Sequence, residues 1–201
     1  MLLTEYTSRT ALSLQGCPVF VVKDALQDTA EMFCRETRIL RETIDVPIVA
    51  GTDTYTLYPN MSDAAVAETL FARIGDDHIE PITPDIASRL IAGTGDPEFI
   101  EQTASNQIRL IPAPKADATL RVTVILTPSL TSASLPSALD QWREGIRHGA
   151  IARLVSIPDQ PWSNAQTAST SSGLYAAAVR DAQTKSTLGN RKVTLRVQSS
   201  S

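Results

Sequence analysis

A chain of 201 residues, 42% hydrophobic and 20% charged, carries enough apolar material for a sizeable core without disulfide or metal staples. Its formal net charge of −4 argues against a protein that grips nucleic acid by neutralising phosphates. Cys17, Cys34, His78 and His148 lack metal-ligand spacing, no stretch approaches the roughly 20 apolar residues of a membrane span, and the N-terminus is unlike a signal peptide. A product assembled in the cytoplasm is expected.

Residues 1–16 are polar with scattered leucines and read as an arm or lead-in segment. A helix is expected over 18–43, because Val22, Leu26, Ala30, Phe33 and Leu40 share one face at helical spacing. Arg35, Arg38 and Arg41 form a three-spaced basic stripe near its end. Such a stripe is either a solvated face favoured by the helix dipole or a contact for an acidic partner.

The period changes after Thr43. Ile44, Val46 and Ile48 alternate, Gly51-Thr52-Asp53 interrupts, and Tyr55 and Leu57 resume, which predicts two short strands joined by a turn. A longer strand is expected over 66–74, followed by a turn at 75–77. Asp76, Asp77 and His78 form a polar cluster there, but adjacent turn side chains rarely converge on a metal. Thr83-Pro84-Asp85 starts a short helix, and residues 93–97 form a loop without the ending of a phosphate cradle. Strands are expected at 99–100, 107–111 and 120–126. Short strands separated by turns favour an antiparallel sandwich or barrel.

A Ser/Thr-rich connector after Pro128 leads to the stretch around which the chain is organised, LPSALDQWREGIRHGAIARLVSIPDQPW at 135–162. Leu139, Trp142, Ile146, Ala150, Leu154 and Ile157 recur at steps of three and four, predicting one helix over 136–157 that Pro158 and Pro161 stop. Gly145 and Gly149 lie on one side of it, each at about 1 kcal/mol of helix propensity, which suggests that another backbone passes close by. Trp142, Gly145, Gly149 and Trp162 are therefore the expected helix-packing residues.

A further helix is expected over 163–188, supported by Ala168, Leu174, Ala177, Ala178 and Ala182 and weakened by Ser171-Ser172-Gly173. In 189–201, Val193, Leu195 and Val197 alternate with no local partner. The segment reads either as a disordered end or as a strand for a neighbour's sheet. The fold class is thus α+β: a helical bundle from 1–43 and 131–188, an inserted antiparallel β domain at 44–130, and a C-terminal arm.

Catalytic constellations are missing. Neither histidine sits in a nucleophile context and no carboxylate pair has a diagnostic spacing, so no enzyme activity, cofactor or metal is expected.

The order Leu135-Pro136, Trp142, Gly149-Ala150, Ala152, Leu154, Pro158 and Trp162-Ser163-Asn164 before an alanine-rich helix resembles the head-to-tail adaptor (connector) proteins of tailed phages, particularly short-tailed ones. The front half agrees in layout, with a helix after Cys17-Pro18, strands around Tyr55 and Leu57, and Leu110-Ile111-Pro112-Ala113-Pro114 before the last long strand. The resemblance implies a virion neck protein forming a ring, usually of twelve copies, docked on the portal above the tail tube or nozzle. DNA would pass through without specific binding. The β domain would face the tail, and a chain end would reach the portal, with Lys192, Val193, Leu195 and Val197 as its contacts. The alternative is a tail-completion or β-sandwich binding module that contacts other tail components.

Overall fold

The computed structural model describes residues 2–90 and 93–188. The N-terminal segment is a helix, α1 (Leu3–Ala11), rather than a free arm. Its buried side chains Leu3, Tyr6, Thr7 and Thr10 follow helical spacing, but two of them are threonines, so the apolar signal is faint. The Leu3 amide donates to the Ala133 carbonyl at 3.0 Å, which ties this helix to the connector before the organising stretch.

α2 (Val19–Thr37) buries Val22, Leu26, Ala30 and Phe33 but ends well before residue 43. Arg38 adopts the left-handed conformation (φ 51°) and its amide caps the Cys34 carbonyl at 2.9 Å. The chain then enters β1 (Arg41–Ile48), whose strand alternation claims residues 41–43, expected in the helix.

The strands that follow are β2 (Thr54–Thr56), β3 (Ala64–Ile74), β4 (Asp77–Ile82), β5 (Thr94–Gly95), β6 (Phe99–Ala104), β7 (Gln107–Ile111), β8 (Ala113–Pro114) and β9 (Ala118–Pro128). A short helix, α3 (Pro84–Ala87), lies between β4 and β5. Seven strands form one sheet in the order β1-β9-β3-β4-β6-β7-β2, curled into a nearly closed barrel, while β5 and β8 pair separately. β1 and β2 do not pair with each other; β1 joins β9 and β2 joins β7. Alternation reveals a strand but not its partner.

The sheet is mostly antiparallel. The exception is the parallel pair β4·β6, made possible by the crossover that carries α3. Isoleucines, valines and leucines from β1, β3, β4, β6, β7 and β9 join the apolar face of α2 in one contiguous core.

The organising stretch divides in two. Ser137–Trp142 is a 3-10 turn, and α4 (Arg143–Val155) follows it. Residues three apart eclipse in a 3-10 turn, so Leu139 and Trp142 point the same way and both are buried. α4 stops at Val155, leaving Ile157 40% exposed beyond its end. α5 (Ala165–Leu188) is continuous through Ser171-Ser172-Gly173 and packs along α4. No described helix is long and apolar enough to cross a membrane.

Candidate functional site

Small residues dictate how closely α4 and α5 approach. A methyl group at Gly145 would lie 2.4 Å from Ala178 Cβ. At Gly149 it would lie 2.6 Å from Thr29 Cγ2 of α2 and 2.6 Å from Tyr175 Cδ2 of α5. Real side-chain carbons do not come that close, so α4 sits against both neighbours only with glycine at these positions.

Aromatic rings fill the adjoining space. The Phe33 ring centroid lies 5.7 Å from that of Trp142 and 6.3 Å from that of Tyr175, both within the range of favourable aromatic contacts. Lys185 Nζ stands 4.5 Å above the Trp142 ring, a cation–π contact that holds the last turns of α5 to the start of α4. Trp142 is buried, whereas Trp162 is half-buried and packs at the edge of the same core.

The α5 face that meets α4 and α2 is Tyr175, Ala178, Val179 and Ala182. Leu174 and Ala177, two of the residues that support this helix in the sequence, are exposed on its other side. The signal for the correct face was the i, i+3, i+4, i+7 spacing that starts at Tyr175, one residue further along. Phe33, expected on the apolar face of the first helix, lies at this centre, and Tyr6 and Thr29 join it or its flank, a role that only their neighbours in space give them.

The connector between α4 and α5 is built from its own polar groups. Ser163 Oγ accepts from the Gln160 amide at 3.0 Å and donates to the Ile157 carbonyl. The Asn164 amide donates to the Val155 carbonyl at 3.0 Å, and its Oδ1 accepts from the Thr167 amide at 2.9 Å, capping α5. Trp162-Ser163-Asn164 is thereby a turn-and-cap device, which is why α5 begins at Ala165 rather than Ser163.

Electrostatics follow burial. Desolvation pushes the Tyr6 and Tyr175 hydroxyls well above their ordinary values, with Glu144 and Glu36 respectively adding to the effect. Tyr6 donates to the Arg143 carbonyl and Tyr175 to Glu36 Oε2 at 3.3 Å. Burial, then the nearby Glu31 carboxylate, pushes the Cys34 thiol up to about 12, so it is a neutral core group at physiological pH. On the sheet, buried Glu101 pairs with Arg109 at 2.6 Å. Hydrogen bonding to Arg121 holds the exposed Asp45 carboxyl below the usual carboxylate range.

The basic residues at the end of α2 do not form one helical stripe. Arg35 pairs with Glu31 at 2.9 Å and Arg38 with Glu68 at 3.0 Å. Arg41 Nη2 donates to Ser186 Oγ at 2.8 Å, and that hydroxyl donates to the Arg38 carbonyl at 3.0 Å. The end of α5 is therefore tied to the start of β1. Among the described residues, no three His, Cys, Asp or Glu side chains gather to hold a metal. Asp77 and His78 instead lie in β4, level with Ile74 and Arg73 of β3. Lys192, Val193, Leu195 and Val197 fall outside the described residues.

A nearly closed barrel joined to close-packed helices, whose distinctive residues serve packing and capping, defines an α+β fold. The sequence matches the family model described as SU10 adaptor protein over residues 3–198, and the chain belongs to that family. It is a phage adaptor protein and hence a virion component, and membership implies contact with portal and tail components. No individual curated protein matches it.

Proposed function

We propose that this adaptor forms a ring of twelve copies in the virion neck, between the portal and the tail tube or nozzle, with DNA passing through its lumen. The observation that carries this reading is the family match across residues 3–198. In this reading the helical part, 1–43 and 131–188, packs side by side around the ring, and the β-rich part, 44–130, faces the tail. Exposed small residues along α5, including Ser169, Ser172 and Ala176, suit close packing against a neighbouring copy. A net charge of −4 suits a passage that does not hold phosphate.

The segment 189–201 is the portal-reaching arm, with Lys192, Val193, Leu195 and Val197 as its contacts. Its alternating pattern supports this role, because an unpaired strand gains affinity by joining another chain's sheet. The test is size-exclusion chromatography and negative-stain microscopy of the purified chain, alone and mixed with its portal protein. Rings or co-migration with portal are expected. A monomer that ignores portal and binds only tail components would overturn the reading in favour of a tail-side module.

A further inference from the structure

The outer face of the barrel carries a row of basic side chains that packing does not require. Directly opposite residues on neighbouring strands share a face of the sheet. β1, β9, β3 and β4 set Asp45 opposite Arg121, Arg121 opposite Arg73, and Arg73 opposite His78. All four are exposed, and Arg73, Gly75, Thr119 and Arg121 bound a groove of about 210 Å³ at the end of β3. Two guanidiniums placed directly opposite one another repel, so this pair weakens the sheet that holds it.

Ion pairing sets Arg73 apart from its neighbours. Residues 44–130 hold twelve Asp and Glu but only five Arg and Lys. Arg89 pairs with Asp85, Arg109 with Glu101, Lys115 with Asp96 and Arg121 with Asp45. Arg121 takes both oxygens of Asp45, through Nε at 2.7 Å and Nη2 at 3.1 Å. Arg73 makes no ion pair among the described residues, despite the surplus of carboxylates around it. Phe71 lies two residues earlier on the same face of β3, level with Thr123, and is 47% exposed.

We infer that the groove between Arg73 and Arg121 binds a carboxylate presented by an acidic segment of a tail component. A carboxylate seated there relieves the repulsion and accepts charge-assisted hydrogen bonds from both guanidiniums. Phe71 offers an apolar contact beside the charge, which suits a protein segment rather than a free ion. Asp76 and Asp77 beyond Gly75, and Glu80 beyond His78, are exposed and ring the groove with negative charge. An extended phosphate polymer meets that charge along its length, whereas a single side chain does not. The chemistry of the groove stands on these residues alone. That a tail component fills it rests on the proposed orientation, with the β-rich part toward the tail.

The test is NMR of the arginine Nε–H signals of the full chain, wild type and R73Q, titrated with a hexaglutamate peptide and with short duplex DNA. The peptide should shift the Arg73 and Arg121 signals of the wild type, and R73Q should bind it at least about tenfold more weakly. R73Q should keep or raise the urea midpoint, because it removes one of two facing arginines. Equal peptide binding by both chains, or a lower midpoint for R73Q, would overturn the inference. Preference for DNA would overturn it in favour of phosphate. Concentration-dependent association of the wild type that R73Q abolishes would assign the groove to a second copy and overturn the tail assignment. Peptide binding by a chain that ignores portal would uphold the groove while removing the neck reading behind that assignment.

Discussion

Replacing Gly149 by alanine sets two opposing terms against each other. In an exposed helix interior the change stabilises by about 1 kcal/mol, because alanine has less backbone freedom to lose. At Gly149 the new methyl meets Thr29 Cγ2 and Tyr175 Cδ2 at 2.6 Å and Tyr175 Cε2 at 2.9 Å. Neither neighbour yields easily. Thr29 Oγ1 is held by the Ala25 carbonyl at 2.6 Å, and the Tyr175 ring is held by Phe33 and by its bond to Glu36.

Overpacking of this kind costs about 1–3 kcal/mol, so G149A should lose up to about 2 kcal/mol net. Gly173, with nothing within 4 Å of an added methyl, is the control. G173A should gain about 1 kcal/mol, separating the two variants by about 1–3 kcal/mol, or several degrees in Tm for a domain of this size. Urea unfolding of both variants beside the wild type measures the difference. A G149A protein as stable as G173A would refute the claim that α4 is pressed against α2 and α5 at this residue.

Removing the Arg109 side chain (R109A) leaves the Glu101 carboxylate buried without its partner and should cost about 3 kcal/mol in chemical denaturation. N164A deletes the cap of α5 and should cost about 1 kcal/mol, read as a lower urea midpoint with an unchanged m-value. The Cys34 thiol is raised to about 12 in the fold, while the unfolded chain ionises near the ordinary thiol value. The native state therefore holds the extra proton above about pH 9, and stability falls there by up to about 1.4 kcal/mol per pH unit. That stability is complete below the unfolded value and lost toward pH 12. C34A should have a shallower decline between pH 9 and 10, measured by urea titration at each pH, and at pH 8 native Cys34 should resist a thiol reagent.

The elements with a strong local period were legible from the residues alone. The apolar stripe of α2, the alternation of β1 and β9, the span of β7 and the continuation of the last helix to Leu188 all follow from side-chain spacing. β4 was not legible, because DHIEPI carries a proline and little alternation, and it becomes a strand only between β3 and β6. α1 was hidden by its threonines. The split at Trp142 was hidden because a 3-10 turn and an α-helix place residues three apart on nearly the same side.

The family resemblance was likewise carried by residues, from Leu135 to Asn164, and the match over 3–198 extends it to most of the chain. By itself the sequence determined the apolar periods and the presence of two mid-helix glycines that needed a reason. Only the tertiary structure decided which bodies those glycines admit, namely Ala178, Thr29 and Tyr175, and that β1 pairs with β9 rather than with its neighbour β2. The physical reason is that a period records which side of an element avoids water. The element that covers that side can come from anywhere in the chain, and only the packed fold brings it there.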